Sequence, residues 1–562
     1  MPRPQFFWGE WLAGSALIEH APAMRDWIRS WGFGTSLLVA LSSGVIQALG
    51  SPPDGWLLGH FLGLVPLLLV LDRPGLPARS AFWLGLAGGL GIGLVGFPWI
   101  AEMLVRFARV PGWVGGLGLL AFSFWQAIPY GLFGLGLGHG PRGGWLGRLW
   151  PAFLFVALQS IWPNLFPYTA LLGLAERPEF LQLAEVGGVP LVEWAFVFLA
   201  TLIARGVMAQ GWVAGGRDLL GAALIPPLLF VYGTVRIESV AAELKDAPRI
   251  QIGVIQPNIP IARIATAERM ERLTGPSAQA AAAGAEMIVW PEAGAYPYQV
   301  GRPHRQDARV GGGRVLGRHQ LPTLFGAPSR AAGERFGYNS AYLLEPNGAV
   351  KGEYDKVHLV PFGESIPLID PDWVTDWIPQ ISHHYAGDGP ARFVVDLKNS
   401  EIQQVAVGPL ICYEDILPGY VREVAEQSGG IELFANLTID AWYGDSAEPW
   451  EHLALAQIRS IEHRIPMVRS VSTGVSAFID PTGRLVDSIP LRPVGPESLN
   501  EFPAEWLMAE VPILWNTAES PTPYARFGWL WGPLCWVISA GVVIRSGFLR
   551  RSSDASKDPS AH

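Results

Sequence analysis

The sequence predicts a polytopic α-helical membrane domain of about eight transmembrane helices, with an extracytoplasmic α/β domain inserted before the last helix. Three observations predict it. Half of the 562 residues are apolar and only 16% are charged, a balance too greasy for a soluble chain. The apolar residues concentrate in roughly the first 240 positions and in one stretch near the C-terminus, whereas residues 245 to 524 have an ordinary globular composition. Within that middle stretch, strand patterns alternate with helical ones, as in an α/β layered core.

Apolar runs place spans near 35–50, 55–72, 80–101, 114–137, 150–172, 184–204, 217–236 and 527–545, several interrupted by Gly or Pro. Residues 1–33 form an N-terminal extension. It is not a cleavable signal, because Glu10, Glu19 and Asp26 interrupt it, and Phe7, Trp11 and Ile18 at helical spacing suggest an interfacial helix. Residues 34–237 make a seven-helix transmembrane domain and 248–512 the soluble domain. Residues 513–547 return to the membrane and form the last span, and 548–562 are a disordered cytoplasmic tail. With eight spans, one set of short segments carries thirteen basic residues (Arg3, Arg25, Arg29, Arg73, Arg79, Arg142, Arg148, Arg205, Arg217, Arg545, Arg550, Arg551, Lys557). The opposite set carries three, Arg106, Arg109 and Arg177. That asymmetry puts both termini in the cytoplasm and the soluble domain outside it. Gly85, Gly89 and Gly93, spaced by four, allow close helix packing.

A net charge of −9 with no basic run excludes a nucleic-acid partner. Two cysteines cannot build a disulfide framework. Cys535 sits in an apolar run and reads as a small buried hydrophobe, which leaves Cys412 as a free thiol. No Gly-x-Ser-x-Gly and no phosphate-binding glycine loop occurs. His383 and His384 are adjacent and would point to opposite faces of a strand, so no metal site and no cofactor are expected.

The soluble domain reads as strand 249–256, an Ala-rich helix 266–284, strand 286–290, strands near 322–327 and 339–345, and a turn at Asn347-Gly348. Strands near 392–397 and 403–412, a helix 415–428, a strand 431–437, a helix 448–464 and strands within 466–480 follow. Glu292, Lys356 and Cys412 each fall where a strand gives way to a loop. A carboxylate, an ammonium and a thiol make an activated-nucleophile set. The carboxylate takes the thiol proton, and the fixed ammonium steadies both a thiolate and a tetrahedral oxyanion. A lone strand cysteine is ordinarily inert core, and Pro-Glu at a strand end is ordinarily a surface turn; their company here argues otherwise. Lys356 opens a Val-His-Leu-Val-Pro-Phe run, so it needs a buried partner, and Glu364 is the orienting carboxylate. Glu414 plays a similar part, with a plain surface acid as the bland reading. The Tyr413 backbone N–H completes the oxyanion hole, and His358 and His452 read as structural hydrogen-bonders. Phe362, Trp373, Trp377, Trp442, Tyr443 and Trp450 fall on loops and suit a lipid-facing lid, against the bland reading of core anchoring.

Trp290-Pro-Glu292, Tyr354-Asp-Lys356-x-His-Leu-Val-Pro-Phe-Gly-Glu364 and Ile411-Cys412-Tyr-Glu414 resemble the motifs of the carbon–nitrogen hydrolase (nitrilase-like) superfamily. That superfamily is an α-β-β-α sandwich with a Glu-Lys-Cys triad. Asp440-Ala-Trp-Tyr-Gly444, Pro449-x-x-His452, Arg459 and Thr522–Gly528 extend the likeness. With the domain set between seven spans and an eighth, residues 35 to 545 resemble the membrane-embedded apolipoprotein N-acyltransferases. Ile439 stands where that family usually has Asn, Glu451 where it has Gln, and 262–265 lacks a frequent Lys-Trp pair. The resemblance implies a ping-pong reaction at Cys412. A membrane phospholipid such as phosphatidylethanolamine leaves its fatty acyl chain as a thioester, and the α-amine of a diacylglyceryl-cysteine lipoprotein takes it. It implies a monomeric multi-pass protein of the bacterial inner membrane with a periplasmic catalytic domain and no cofactor. The alternative is a membrane-tethered amidase or nitrile hydrolase using the same triad with water as acceptor.

Overall fold

Glycine spacing sets how the N-terminal helices meet. The computed structural model describes residues 21–555 except 54, 168, 170, 261–263, 309–311, 362, 366–382, 399–400, 493–498 and 500. Its helices are α1 (Ala21–Ser30), α2 (Phe33–Ala48), α3 (Leu57–Leu62), α4 (Val65–Leu71), α5 (Ala78–Gly96), α6 (Trp99–Phe107), α7 (Gly112–Leu137), α8 (Gly144–Ile161), α9 (Ala184–Met208) and α10 (Trp212–Glu243). Helix α5 lies against α7. A Cβ on Gly85 would fall 2.0 Å from the Tyr130 carbonyl oxygen, one on Gly89 2.6 Å from Ala127 Cα, and one on Gly93 2.6 Å from Ser123 Cβ. Only hydrogen fits at all three positions, so the spacing read from the sequence is a backbone-to-backbone seam.

Among the described residues, five helices are long and apolar enough to cross a membrane: α5, α7, α9, α10 and a C-terminal one. They become six if α1 and α2, bent by 110°, count as one span. Each of the eight expected runs holds helix, but the runs 55–72 and 150–172 do not form a single long apolar helix. The run 55–72 is cut at Gly63-Leu64 into α3 and α4. The run 80–101 ends at Gly96, where Phe97-Pro98 break the helix and the short α6 begins. The run 150–172 is shifted: α8 starts at Gly144 and stops at Ile161, before Pro163 and Pro167. Each break sits at a Gly or Pro that a hydropathy window averages away. Phe7, Trp11 and Ile18 lie outside the described residues.

The middle of the chain forms two sheets. The strands are β1 (Arg249–Gln256), β2 (Met287–Val289), β3 (Val300–Arg302), β4 (Thr323–Ala331), β5 (Tyr338–Leu344), β6 (Val350–Asp355), β7 (Phe393–Asp396), β8 (Gln404–Ile411), β9 (Leu433–Thr438), β10 (Met467–Val471), β11 (Ser476–Ile479), β12 (Leu485–Ile489) and β13 (Glu505–Pro512). One sheet runs β13-β1-β2-β4-β5-β6 with β3 beside β4, and the other β12-β11-β10-β9-β8-β7. Because successive side chains alternate faces, Ile250, Ile252 and Val254 of β1 and Met287 and Val289 of β2 meet Val405, Val407, Leu433 and Leu437 of the second sheet in one core. The opposite parity, Ile255, Ile288, Phe325 and Tyr342, packs under helix α11 (Thr266–Ala282). Helices α12 (Pro418–Ala425) and α13 (Glu448–His463) cover the second sheet. The layers are α-β-β-α, as expected. Four strands have no range in the sequence reading, β3, β6, β12 and β13; β13 pairs antiparallel with β1 along its whole length.

Helix α13 also joins the two parts of the molecule. Every residue of it except Trp450 is buried. Leu453 and Ala456 enter the sandwich core, while Ile458 and Ile461 pack with Leu171, Phe180, Val192, Phe196 and Leu229 of the helical part. At its end, Arg464 and Arg236 share the Glu185 carboxylate at 2.7 and 2.8 Å. Helix α14 (Pro523–Arg526) leads into α15 (Trp531–Ala555), which continues past the expected end at 545. Cys535 is fully buried with Val156 and Ala157, as its apolar run suggested.

Candidate active site

Three strand ends converge. Glu292 lies just beyond β2, Lys356 follows β6, and Cys412 follows β8 in the facing sheet. Gly326 of β4 makes room for the first: a Cβ there would fall 2.6 Å from the Glu292 carbonyl carbon and from Ala293 N. Lys356 is 1% exposed. Its ammonium donates to Glu364 Oε1 at 3.0 Å, lies 2.8 Å from Glu364 Oε2, and donates to Glu292 Oε1 at 3.3 Å. Asn339, on β5, donates from one nitrogen to both carboxylates, at 2.7 Å to Glu292 Oε1 and 3.1 Å to Glu364 Oε1. Among the described residues, buried Glu292 Oε2 has no hydrogen-bond partner.

The two carboxylates are held in different states. Burial pushes Glu292 above its ordinary value, and Glu364's charge adds to that against the pull of Lys356. Glu364 is buried too, but Lys356 and the Val360 N–H, which donates to Glu364 Oε2 at 2.9 Å, hold it below the usual range. Glu364 is therefore the counter-ion and Glu292 the readier proton acceptor. Burial works against the Lys356 charge, yet Glu364 and Glu292 hold it well above the ordinary lysine value. The Cys412 thiol is raised, first by burial and then by the Glu292 charge, with Lys356 pulling it down. At rest the sulfur is a thiol that needs a base.

Cys412 sits on a sharp turn with φ +53°, a left-handed conformation that costs a non-glycine residue about 1 kcal/mol or more. It is held from three sides. Asn436 donates to the Cys412 carbonyl at 3.1 Å. The buried Glu414 accepts from Ile411 N (2.7 Å), Val357 N (2.7 Å), His358 N (3.1 Å) and the Tyr354 hydroxyl (2.6 Å), which ties the nucleophile turn to the lysine loop. Asp415 accepts from His452 Nε2 at 2.8 Å and Arg469 at 2.7 Å. His452 Nδ1 meets Asp440 at 3.1 Å, and Arg469 reaches the same carboxylate at 3.2 Å. Burial and Arg469 oppose the imidazolium, but Asp415 and Asp440 push His452 up to about 10. Ligating atoms of Asp440, Glu448 and His452 lie within 4.8 Å of one another. With both ring nitrogens carrying protons toward carboxylates and Arg469 supplying the cation, the imidazole has no lone pair for a metal.

Glu414 thus brackets the Cys412 turn and the lysine loop. Tyr413 sends its hydroxyl to the Leu165 carbonyl (2.6 Å) and its ring against Phe166, which pins the turn to the helical part. Tyr443 and half-buried Trp442 pack with Phe97, Trp99, Ile100 and Phe122, and half-buried Trp450 packs on the sandwich core. Phe362, Trp373 and Trp377 lie outside the described residues. Sequence reading missed Asn339, Asp415 and Arg469. Asn339 shares the inward parity of Ala341 and Leu343 on β5, and Arg469 is a charge within the buried strand Met467–Val471; a polar group at such a position needs partners.

A cavity of about 30 Å³ opens at the sulfur, walled by Cys412, Tyr413, Tyr443, Glu448, Glu451 and His452 of the sandwich and by Phe97, Trp99, Phe166 and Leu172 of the helical part. The carbon-nitrogen hydrolase family model matches residues 251–493, so fold and triad together define a domain of that thiol-bearing class. The model of the apolipoprotein N-acyltransferase N-terminal domain matches residues 43–202. The chain is 31% identical over 541 residues to the apolipoprotein N-acyltransferase of Geobacter metallireducens, covering 92% of this chain and 96% of that one. It is 28% identical over 550 residues to that of Allorhizobium ampelinum, with the same coverage. This chain belongs to the apolipoprotein N-acyltransferase family and is an acyltransferase.

Proposed function

We propose that the chain moves a fatty acyl group from a membrane phospholipid, through a thioester on Cys412, to the α-amine of the N-terminal diacylglyceryl-cysteine of a lipoprotein. Glu292 takes the Cys412 proton, and the thiolate attacks an ester carbonyl carbon of the lipid. Lys356 and the Tyr413 N–H steady the oxyanion. The C–O bond breaks, Glu292 returns the proton to the departing lysophospholipid oxygen, and the acyl-enzyme remains. The acceptor amine then attacks the same carbonyl carbon and the sulfur leaves. Phosphatidylethanolamine is the proposed donor, and the chain works as a monomer with both termini in the cytoplasm and the sandwich on the periplasmic side of the inner membrane.

One observation supports the reading: Cys412 lines a cavity whose other wall is largely aromatic and belongs to the helical part. A soluble amide needs no such wall, whereas an acyl chain entering from lipid does. The test is intact-mass analysis of the purified protein after incubation with labelled phosphatidylethanolamine, beside Cys412→Ser and Glu292→Gln. An acyl adduct on the wild type alone, labile to hydroxylamine and discharged by a diacylated lipopeptide, is expected. Hydrolysis of soluble amides with no adduct at any pH would replace the acyltransfer route with a tethered amidase.

A further inference from the structure

Thr438 brings a hydroxyl to the nucleophile from the neighbouring strand. It is the last residue of β9 and is fully buried. Strands β8 and β9 run parallel with Ile411 opposite Leu437, which leaves Cys412 and Thr438 as neighbours where the two strands end. Successive side chains alternate faces, so Thr438 shares a face with Asn436, whose side chain reaches the Cys412 carbonyl at 3.1 Å. The Thr438 carbonyl accepts from Ser472 N at 2.9 Å. Its hydroxyl Oγ1 meets no aligned hydrogen-bond partner among the described residues. A buried hydroxyl left in that state is costly.

We propose that the Thr438 hydroxyl is a catalytic donor that hydrogen-bonds the Cys412 sulfur when the sulfur is anionic. Its part in the two half-reactions rests on the acyltransfer route proposed above. In the first, the thiol proton goes to Glu292 and the sulfur lone pair forms the S–C bond. Thr438 keeps its own proton and lends a hydrogen bond to the thiolate. In the second, the acceptor amine attacks, the C–S bond breaks and its electron pair returns to sulfur. The same hydroxyl receives the departing thiolate before the proton released by the acceptor nitrogen reaches it through Glu292. A donor unmatched by the resting thiol and matched by the anion favours the charged states over the resting one, which is how such a group speeds a step.

The surroundings leave this part to Thr438. Burial is the largest influence on the Cys412 thiol and raises it, as do the charges of Glu292 and Asp440; Lys356 and the Thr438 hydroxyl pull it down. Lys356 is already shared between Glu364 and Glu292. Arg469, which also feels the sulfur, is held by Asp415 and Asp440. Tyr443 senses the sulfur's charge from the loop after β9. Thr438 is the neutral donor that the strand register sets beside the sulfur with its proton uncommitted.

Alkylation of Cys412 by iodoacetamide, followed by intact mass between pH 5 and 10 in the full-length protein carrying Cys535→Ala, reads the sulfur without any lipid. In Thr438→Val, which keeps the shape and drops the hydroxyl, the inflection should move up by about one unit, the effect of losing a hydrogen bond to a charged group. Below the inflection the rate should fall only about threefold, because a more basic thiolate is the better nucleophile. Adduct formation from phosphatidylethanolamine vesicles should slow about threefold for the same reason, at an unchanged half-saturating lipid concentration. Discharge by a synthetic diacylated lipopeptide should slow about tenfold, since the sulfur then leaves with its full charge. Thr438→Ser keeps the donor and should match the wild type in every measurement. An unmoved inflection in Thr438→Val would overturn the proposal. So would equal losses in the serine and valine variants, which would make packing of the methyl group the cause. Thr438→Ala takes the valine variant's place in the same comparison if that variant does not fold. A wild type that is alkylated but forms no adduct would sink the acyltransfer route and leave the alkylation comparison to decide on Thr438.

Discussion

Replacing Glu364 by Gln removes a negative charge but keeps the side chain's shape, and the consequence for Glu292 can be worked out. Asn339 touches both carboxylates from one nitrogen, at 2.7 and 3.1 Å, so the two oxygens are about 5 Å apart by the geometry of a shared donor. At an effective dielectric of about 20, two like charges at that distance repel by about 3 kcal/mol, or about two pKa units. In the variant that repulsion goes, and Lys356, 3.3 Å from Glu292 Oε1, keeps Glu292 as its one carboxylate partner among the described residues. Both changes lower the Glu292 pKa and weaken it as a base. The acid limb of the pH profile for adduct formation, which reports Glu292 losing its proton, should move down by about one to two units. The plateau rate should fall about 10- to 100-fold, within the range for general-base effects. The assay is the initial rate of acyl-adduct formation from phosphatidylethanolamine between pH 4 and 9, by intact mass. A limb that stays in place or moves up would refute the assignment of Glu364 as counter-ion and Glu292 as base.

Other outcomes follow from the same geometry. Asn339→Leu strips a donor from both carboxylates; adduct formation should fall at least about tenfold, and thermal unfolding should show a loss of about 1–3 kcal/mol. His452 is raised from about 6.5 to about 10 by Asp415 and Asp440. Its contribution to stability is therefore full below about pH 6.5 and lost as pH rises through about 10. Chemical denaturation in detergent should show stability falling over that window, and His452→Gln should flatten the fall. Gly89→Leu, which would drive a side chain into Ala127, should abolish recoverable folded protein by size-exclusion chromatography, whereas Gly116→Leu, where a Cβ meets nothing, should not.

Legibility followed locality. Glu292, Lys356 and Cys412 were readable because each closes a strand whose pattern is local, and because a thiol, an ammonium and a carboxylate at strand ends are rare by chance. An α/β layered core was readable from the alternation of strands and helices, and the α-β-β-α order from the family resemblance. The partner strand β13 was not: it lies about 250 residues from β1 in the chain and shows mixed exposure, so nothing within it announced a sheet edge. Helix ends in the membrane part were less legible because hydropathy sums over a window and ignores where a helix breaks; Gly63, Pro98 and Pro163 each change geometry at almost no cost in mean hydropathy.

Asp415 and Arg469 escaped for a different reason, and they bear on how the site stays assembled. Each looks like an isolated charge in its own segment, and the meaning appears only when β10, the nucleophile turn and α13 come together. Removing one member leaves the others buried and unpaired, the costly outcome for a buried ionic network. Arg469 and His452 hold Asp415, Glu414 holds the lysine loop, and Tyr413 holds Leu165 of the helical part. The strained φ of Cys412 is therefore fixed by three separate anchors, one of them in the helical part. A thiol so placed cannot relax toward an ordinary strand conformation without breaking contacts in both parts of the molecule, so its position depends on the helical part being in place.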